Sequence, residues 1–237
     1  MQKISIFWFR RDLRLDDNKG LSEALKADEK VIPIFIFDKD ILDLLEDKYD
    51  RRVDYIHQAV ERINNQLHEI GSSFLTFYGI PLDIFKQLQK EYDIQSVYCN
   101  RDYEPSAIKR DDEVKDFLHS KNIEFIDFKD QVIFEKNEVV KDNGEPYTVY
   151  TPYSKKWKKL LSEKDYNTNN LKNGQFQKLP KKKILTLKEI GFEKTDLEFE
   201  EPKLESKIID VYDENRDFPA LDTTTHLGIA LRFGTIS

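Results

Sequence analysis

The chain has 237 residues, of which 39% are hydrophobic and 12% aromatic, enough for one full domain plus further structure, or for two small domains. A formal net charge of −7 argues against a general nucleic-acid coat protein and leaves room only for a local basic face. A lone cysteine, Cys99, excludes a disulfide framework and a cysteine-built zinc site, and four scattered histidines disfavour a histidine metal centre.

No secretory signal is expected, because Lys3 leads into a strand-like run that arginines interrupt at once. No apolar stretch approaches the roughly 20 residues of a membrane helix. The expectation is a soluble, cytoplasmic, mixed α/β protein with no membrane partner, acting as a monomer.

Ile4-Ser5-Ile6-Phe7-Trp8-Phe9 is apolar enough for a strand buried on both faces. Arg10, Arg11, Asp12 and Arg14 follow at the strand's carboxyl end, where open α/β sheets place their ligand crevice. Two readings stay open for this cluster: an Arg/Asp network bracing the first βα turn, or an anion or cofactor contact through bidentate guanidinium pairing. Asp16, Asp17 and Asn18 offer N-caps for a helix carrying Leu21, Ala24 and Leu25. Residues 31–37 form a second strand, whose Pro33 puts it near a sheet edge or turns its donorless nitrogen away from the ladder. A long amphipathic helix over 51–70 presents Val53, Ile56, Val60, Ile63 and Leu67, and Gly71 ends it.

Strands at 74–78, 96–99 and 123–128 alternate with helices around Ile84-Phe85-Leu88 and over 105–119, the latter opened by Pro105. Five apolar strands alternating with helices predict a doubly wound parallel sheet with its first strand central. No Gly-x-Gly-x-x-Gly follows the first strand, which counts against a standard dinucleotide fingerprint. Beyond residue 130 the pattern changes. Short extended pieces are expected at 132–134 and 139–140, a turn at Asp142-Asn143-Gly144, and a helix over 154–161 bearing Trp157. Residues 162–204 read as a polar linker over a surface, with Lys181-Lys182-Lys183 a solvated run. A helix over 205–213 follows. Thr223-Thr224-Thr225 then precedes an apolar run and predicts a helix N-terminus with hydroxyls and amides suited to phosphate. The division expected is an α/β domain over 1–130, a connecting segment over 131–204 and the unfinished start of a helical domain over 205–237.

Four segments in order carry a family resemblance. Trp8-Phe9-Arg10-Arg11-Asp12-Leu13-Arg14-Leu15-Asp16-Asp17-Asn18 resembles the N-terminal signature of the DNA photolyase/cryptochrome family. Asn100-Arg101-Asp102-Tyr103-Glu104-Pro105 and Tyr147-Thr148-Val149-Tyr150-Thr151-Pro152-Tyr153 are similar to further family segments. Arg216-Asp217-Phe218-Pro219, Thr224-Thr225-His226-Leu227-Gly228 and residues 231–237 resemble its flavin-phosphate loop. The resemblance is to bacterial cyclobutane pyrimidine dimer photolyases more than to cryptochrome photoreceptors. It implies a Rossmann-like antenna domain and an all-helical FAD domain. The activity implied is that of a carbon–carbon lyase, in which light-excited reduced flavin passes an electron to a pyrimidine dimer flipped out of DNA.

Residue by residue, the resemblance implies that Tyr212, Thr224, Thr225, His226, Leu227 and Gly228 contact FAD, with Gly228 standing where the family usually has Ser. Arg216 matches an arginine that touches DNA phosphates; pairing with Asp213 or Glu214 is the alternative. Ser106 and Ala107 replace the Asn-Glu of folate-binding members, so Arg52, Asp102, Glu104, Phe37 and Asp38 point to a deazaflavin or FMN antenna. Helix capping is the other reading of Asp102 and Glu104. No catalytic residue maps within the chain. By itself the chain is expected to lack repair activity and to bind FAD at best weakly. A photosensory cryptochrome and a stand-alone chromophore-binding α/β module are the alternative functions.

Overall fold

The computed structural model of the protein describes residues 2–27, 29–169 and 176–237. Strands and helices alternate through the first half: β1 (Lys3–Phe9), α1 (Lys19–Ala24), β2 (Lys30–Asp38), α2 (Lys39–Leu42), α3 (Arg51–Glu69), β3 (Leu75–Gly79), α4 (Pro81–Glu91), β4 (Asp93–Asn100), α5 (Pro105–Ser120) and β5 (Glu124–Phe128). After them come α6 (Tyr150–Leu160), α7 (Ser206–Asp210), α8 (Tyr212–Asn215) and α9 (Gly228–Phe233). The five strands form one sheet in the order β3-β2-β1-β4-β5. The pairs β1–β4, β4–β5 and β2–β3 are each parallel. The central position of β1 accounts for its continuous apolar run, since a strand flanked on both sides and covered on both faces has no solvated side.

The chain divides into two compact units. The first comprises residues 1–8, Leu15–Pro33 and Pro81–Gln177. Its core holds Ile6, Phe7, Leu21, Val31, Phe85, Val97, Cys99, Val114 and Leu118. Trp8 meets Phe85 edge-on at 5.1 Å, with the Arg110 guanidinium 4.9 Å above the indole. Each such aromatic buries enough surface to contribute about 2–3 kcal/mol. Asn18 caps α1, accepting from Leu21 N at 3.0 Å, and also accepts from Asn100 Nδ2 at 2.8 Å. Asn100 Oδ1 in turn accepts from Gly20 N, where an added Cβ would lie 2.6 Å from that oxygen. The first βα turn is thus locked by two buried amides and a glycine with no room for a side chain.

The second unit comprises Phe9–Arg14, Ile34–Ile80 and Lys178–Ser237. Asp50 caps α3 by accepting from Arg52 N at 2.8 Å, and α3 buries Val53, Val60, Ile63 and Leu67. Gly71, with φ +76°, follows the helix. Residues 178–201 run beside α3 and are tied to it. Asn64 donates to Lys182 O at 2.8 Å, Thr195 donates to Asp54 through N and Oγ1, and Gln58 bonds both Leu197 O and Phe199 N.

Pro33 lies in β2, the strand next to the edge strand β3, as expected, and the ladder between the two begins one residue later, at Ile34. Other expectations change. No strand is assigned at 132–134 or 139–140 among the described residues. There Phe134 packs edge-on against Trp157 at 5.5 Å, and Glu135 and Glu138 form a capping box around a single 3₁₀ turn. The segment after residue 162 is not uniformly polar, because Ile184, Leu187, Ile190 and Phe192 are buried. The helix expected over 205–213 is broken at Val211 into α7 and α8.

Candidate functional site

The residues expected to contact FAD all lie in the second unit, on and between α8 and α9. Tyr212 opens α8 and is about half exposed (48%), so it is not a core aromatic. Arg216 follows α8, with its Nε 3.7 Å from Asp213 on an exposed surface. The alternative pairing therefore exists, though at that separation and exposure it contributes little.

The expected threonine cap of the last helix is absent. The N-cap of α9 is Leu227, it makes no side-chain cap bond, and the helix is only six residues long. Residues 222–226 are irregular and tied by side chains. His226 sits at φ +51°, with Nε2 2.7 Å from Asp222 Oδ1 and 3.5 Å from Thr224 Oγ1. The sequence pattern misled because hydroxyl residues before an apolar run serve local loop bonds as readily as caps.

Two observations bear on whether this loop suits a phosphate-bearing group. The Thr223 hydroxyl is shielded from solvent and has no hydrogen-bond partner. A buried hydroxyl left unsatisfied costs free energy that a ligand oxygen would recover. At Gly228, nothing lies within 4 Å of where a Cβ would stand, so the space a serine would use there is open. Thr223, Thr224 and Thr225 therefore supply three hydroxyls in the residues just before that open position, and the Asp222 carboxylate is hydrogen-bonded to His226. The residues fit a phosphate group. The sequence marks Thr223 only as part of the hydroxyl run and assigns the FAD contact to Thr224 and Thr225. What sets Thr223 apart, an orphaned hydroxyl, exists only in three dimensions.

The residues expected to serve an antenna chromophore fall into both units. In the second, Phe37 is buried at the end of β2, edge-on to Phe35 at 4.9 Å and stacked at 6.3 Å on His57. Asp38 caps α2, accepting from Asp40 N at 3.1 Å. Arg52 turns back to Asp50, with Nε 3.0 Å from Oδ1. That guanidinium holds the Asp50 carboxyl below its usual range. In the first unit Asp102 is buried and accepts from Glu104 N at 3.1 Å. Glu104 occupies the N-cap of α5 but makes no side-chain cap bond. Capping thus describes Asp38, which was not expected to cap, and does not describe Glu104.

An open groove of about 620 Å³ lies against α3, lined by His57, Asn64, His68, Lys183, Lys188 and Lys194 among others. None of the expected site residues lines it. Its imidazoles are engaged by the backbone, His57 Nε2 at 2.8 Å from Leu185 O and His68 Nε2 at 3.1 Å from Lys182 O. Among the described residues no group of His, Cys, Asp and Glu could hold a metal ion.

The Arg10–Arg14 cluster turns inward. Asp12 is 1% exposed and accepts from Arg10 N at 2.7 Å, while Leu13 N donates to Phe233 O at 3.1 Å. Arg14 Nη1 reaches Gly234 O at 3.3 Å.

A five-stranded parallel α/β sheet with its first strand central is a Rossmann-like arrangement. The family model described as DNA photolyase matches residues 5–172, and the chain belongs to the DNA photolyase family. It is 30% identical over 248 residues to a deoxyribodipyrimidine photo-lyase of a Synechococcus species, a match covering 98% of this chain and 51% of that protein. It superposes on a bacterial class III photolyase from Agrobacterium tumefaciens with a TM-score of 0.80 and 25% identity, over 100% of this chain and 52% of the other. An archaeal photolyase from Sulfolobus tokodaii, solved with two FAD molecules, has the same fold at a TM-score of 0.73 and 23% identity, over 100% of this chain and 53% of that one. The chain spans about half the length of these relatives. No helix of the described residues is long and apolar enough to cross a membrane.

Proposed function

We propose that this chain forms the N-terminal part of a deoxyribodipyrimidine photolyase, whose complete form repairs cyclobutane pyrimidine dimers in DNA using light and FAD. The observation that carries the reading is the match to a photolyase over 98% of the chain. The open hydroxyl-lined loop at 223–228 supports it from the residues upward. In this reading residues 1–130 are the antenna domain, 131–204 the connection and 205–237 the start of the flavin domain.

Tyr212, Thr224, Thr225, His226, Leu227 and Gly228 hold the FAD phosphates, with Thr223 as a further donor, and Arg216 meets a DNA phosphate. Bound FAD supplies the light-driven electron donation, and the residues of this chain contribute binding and orientation. Arg52, Asp102, Glu104, Phe37 and Asp38 serve an antenna chromophore. Ser106 and Ala107 favour deazaflavin or FMN over folate there.

The test is titration of the 237-residue chain with FAD, FMN, a deazaflavin and a methenyl-folate, followed by fluorescence. Deazaflavin or FMN binding ahead of folate is expected, together with FAD binding weaker than about 10 μM, near 7 kcal/mol. No binding of any of the four up to about 1 mM, near 4 kcal/mol, overturns the reading. Blue-light repair of dimer-containing DNA by this chain alone would overturn the weak-binding part of it.

A further inference from the structure

The helix α9 ends at Gly234, whose φ of +65° is the left-handed conformation of a helix C-terminal cap. Thr235 N closes the cap onto Ala230 O at 3.0 Å. The carbonyls that follow still need donors, as at any helix end. They find them in the arginine-rich turn after β1. Leu13 N donates to Phe233 O at 3.1 Å, Arg14 Nη1 to Gly234 O at 3.3 Å, and Arg11 Nε approaches Arg232 O at 3.4 Å. Three consecutive carbonyls are therefore met by one four-residue turn, and two of the donors are guanidiniums, which suit the negative end of a helix.

The contact is also close in the steric sense. A Cβ on Gly234 would stand 2.3 Å from Arg11 O and 2.6 Å from Asp12 Cα. Gly234 is thus required twice, by its backbone angle and by the backbone lying against it. On another side, Tyr55 of α3 bonds Thr235 Oγ1 at 2.8 Å and packs its ring 5.5 Å from Phe233. By contrast, Leu221 and Ile229 on either side of the loop are exposed, and the side-chain bonds of Thr224 and His226 stay within it.

We propose that the Arg11–Arg14 turn is a clamp on the C-terminal end of α9 that fixes where the 223–228 loop lies, making Arg14, Leu13 and Gly234 positioning residues for flavin binding. The signature at the front of the chain thereby serves the site at its far end without touching the ligand. The flavin half of this statement rests on the function proposed above; the clamp itself does not.

The test uses the 237-residue chain and its G234A, R14A and R14K variants, read by amide hydrogen exchange and by FAD titration. In G234A and R14A, exchange across residues 227–235 and at Leu13 N–H should rise about tenfold or more, as expected for losing one or two hydrogen bonds. Exchange at Phe77 in β3 should stay unchanged, which separates release of the clamp from unfolding. FAD affinity should fall about tenfold in both variants, and R14K, which keeps a cationic donor, should recover most of it. Unchanged protection of Leu13 and of residues 227–235 in both G234A and R14A overturns the clamp. Lost protection with unchanged FAD affinity overturns its positioning role. If the wild-type chain binds no FAD at all, the flavin reading fails, and the exchange data alone then decide whether the clamp exists.

Discussion

At Gly228 the family's serine would find open space, since no atom lies within 4 Å of an added Cβ. G228S should therefore strengthen FAD binding several-fold, by about 1 kcal/mol for one added hydrogen bond, as read by flavin fluorescence titration. Asp12 presents the opposite case. It is buried and accepts the Arg10 amide at 2.7 Å within a turn that carries three guanidiniums. D12A should lower unfolding stability by about 2–3 kcal/mol in urea melts, because it removes a buried carboxylate that accepts the Arg10 amide in an arginine-rich turn. Both roles were half legible in the sequence. The composition of the 10–14 cluster left it either a bracing network or an anion contact. That its partners are the carbonyls of residues 232–234 could not be read, because hydrogen bonds to backbone leave no trace in the partner's side chains.

Among the elements, α3 and the segment laid beside it show how a polar stretch can be fixed in place. The Asp54 carboxylate is buried, and burial alone would raise its pKa; hydrogen bonds from Thr195 and Gln58 outweigh burial and set it below the ordinary aspartate range. A carboxylate with a depressed folded pKa contributes stability that is present above the unfolded pKa and lost as pH falls through the folded one. D54N should consequently destabilise the protein at pH 7. The gap between wild type and variant should close progressively below the ordinary aspartate range, as followed by thermal melts across pH. A gap independent of pH would show that the bonds work equally well without the charge. The helix itself was plain in the sequence from its spacing of apolar residues. The docking of 178–201 was not, because Asp54, Gln58 and Asn64 look like ordinary solvent-facing positions until their partners arrive from more than 100 residues away.

For the molecule as a whole, charge governs the behaviour toward nucleic acid. With a net charge of −7, the chain by itself should bind undamaged duplex DNA no more tightly than about 100 μM at 0.15 M salt, the weak end of non-specific affinity. Fluorescence anisotropy with a labelled duplex checks this; tighter binding that weakens steeply with salt would reveal a basic face that the net charge conceals. Large apolar side chains also remain at the surface late in the chain, with Phe218 and Ile229 each 60% exposed and Leu231 58%.

The sequence by itself determined the alternation of five apolar strands with helices, the central place of the first strand and the family signature, since hydrophobic periodicity and local caps are written residue by residue. Tertiary structure alone decided where the β2–β3 ladder begins relative to Pro33, which threonine hydroxyl is left without a partner, and what the arginine turn holds. Each of these depends on two segments distant in sequence meeting, and a one-dimensional pattern records the donors and acceptors without recording which of them meet.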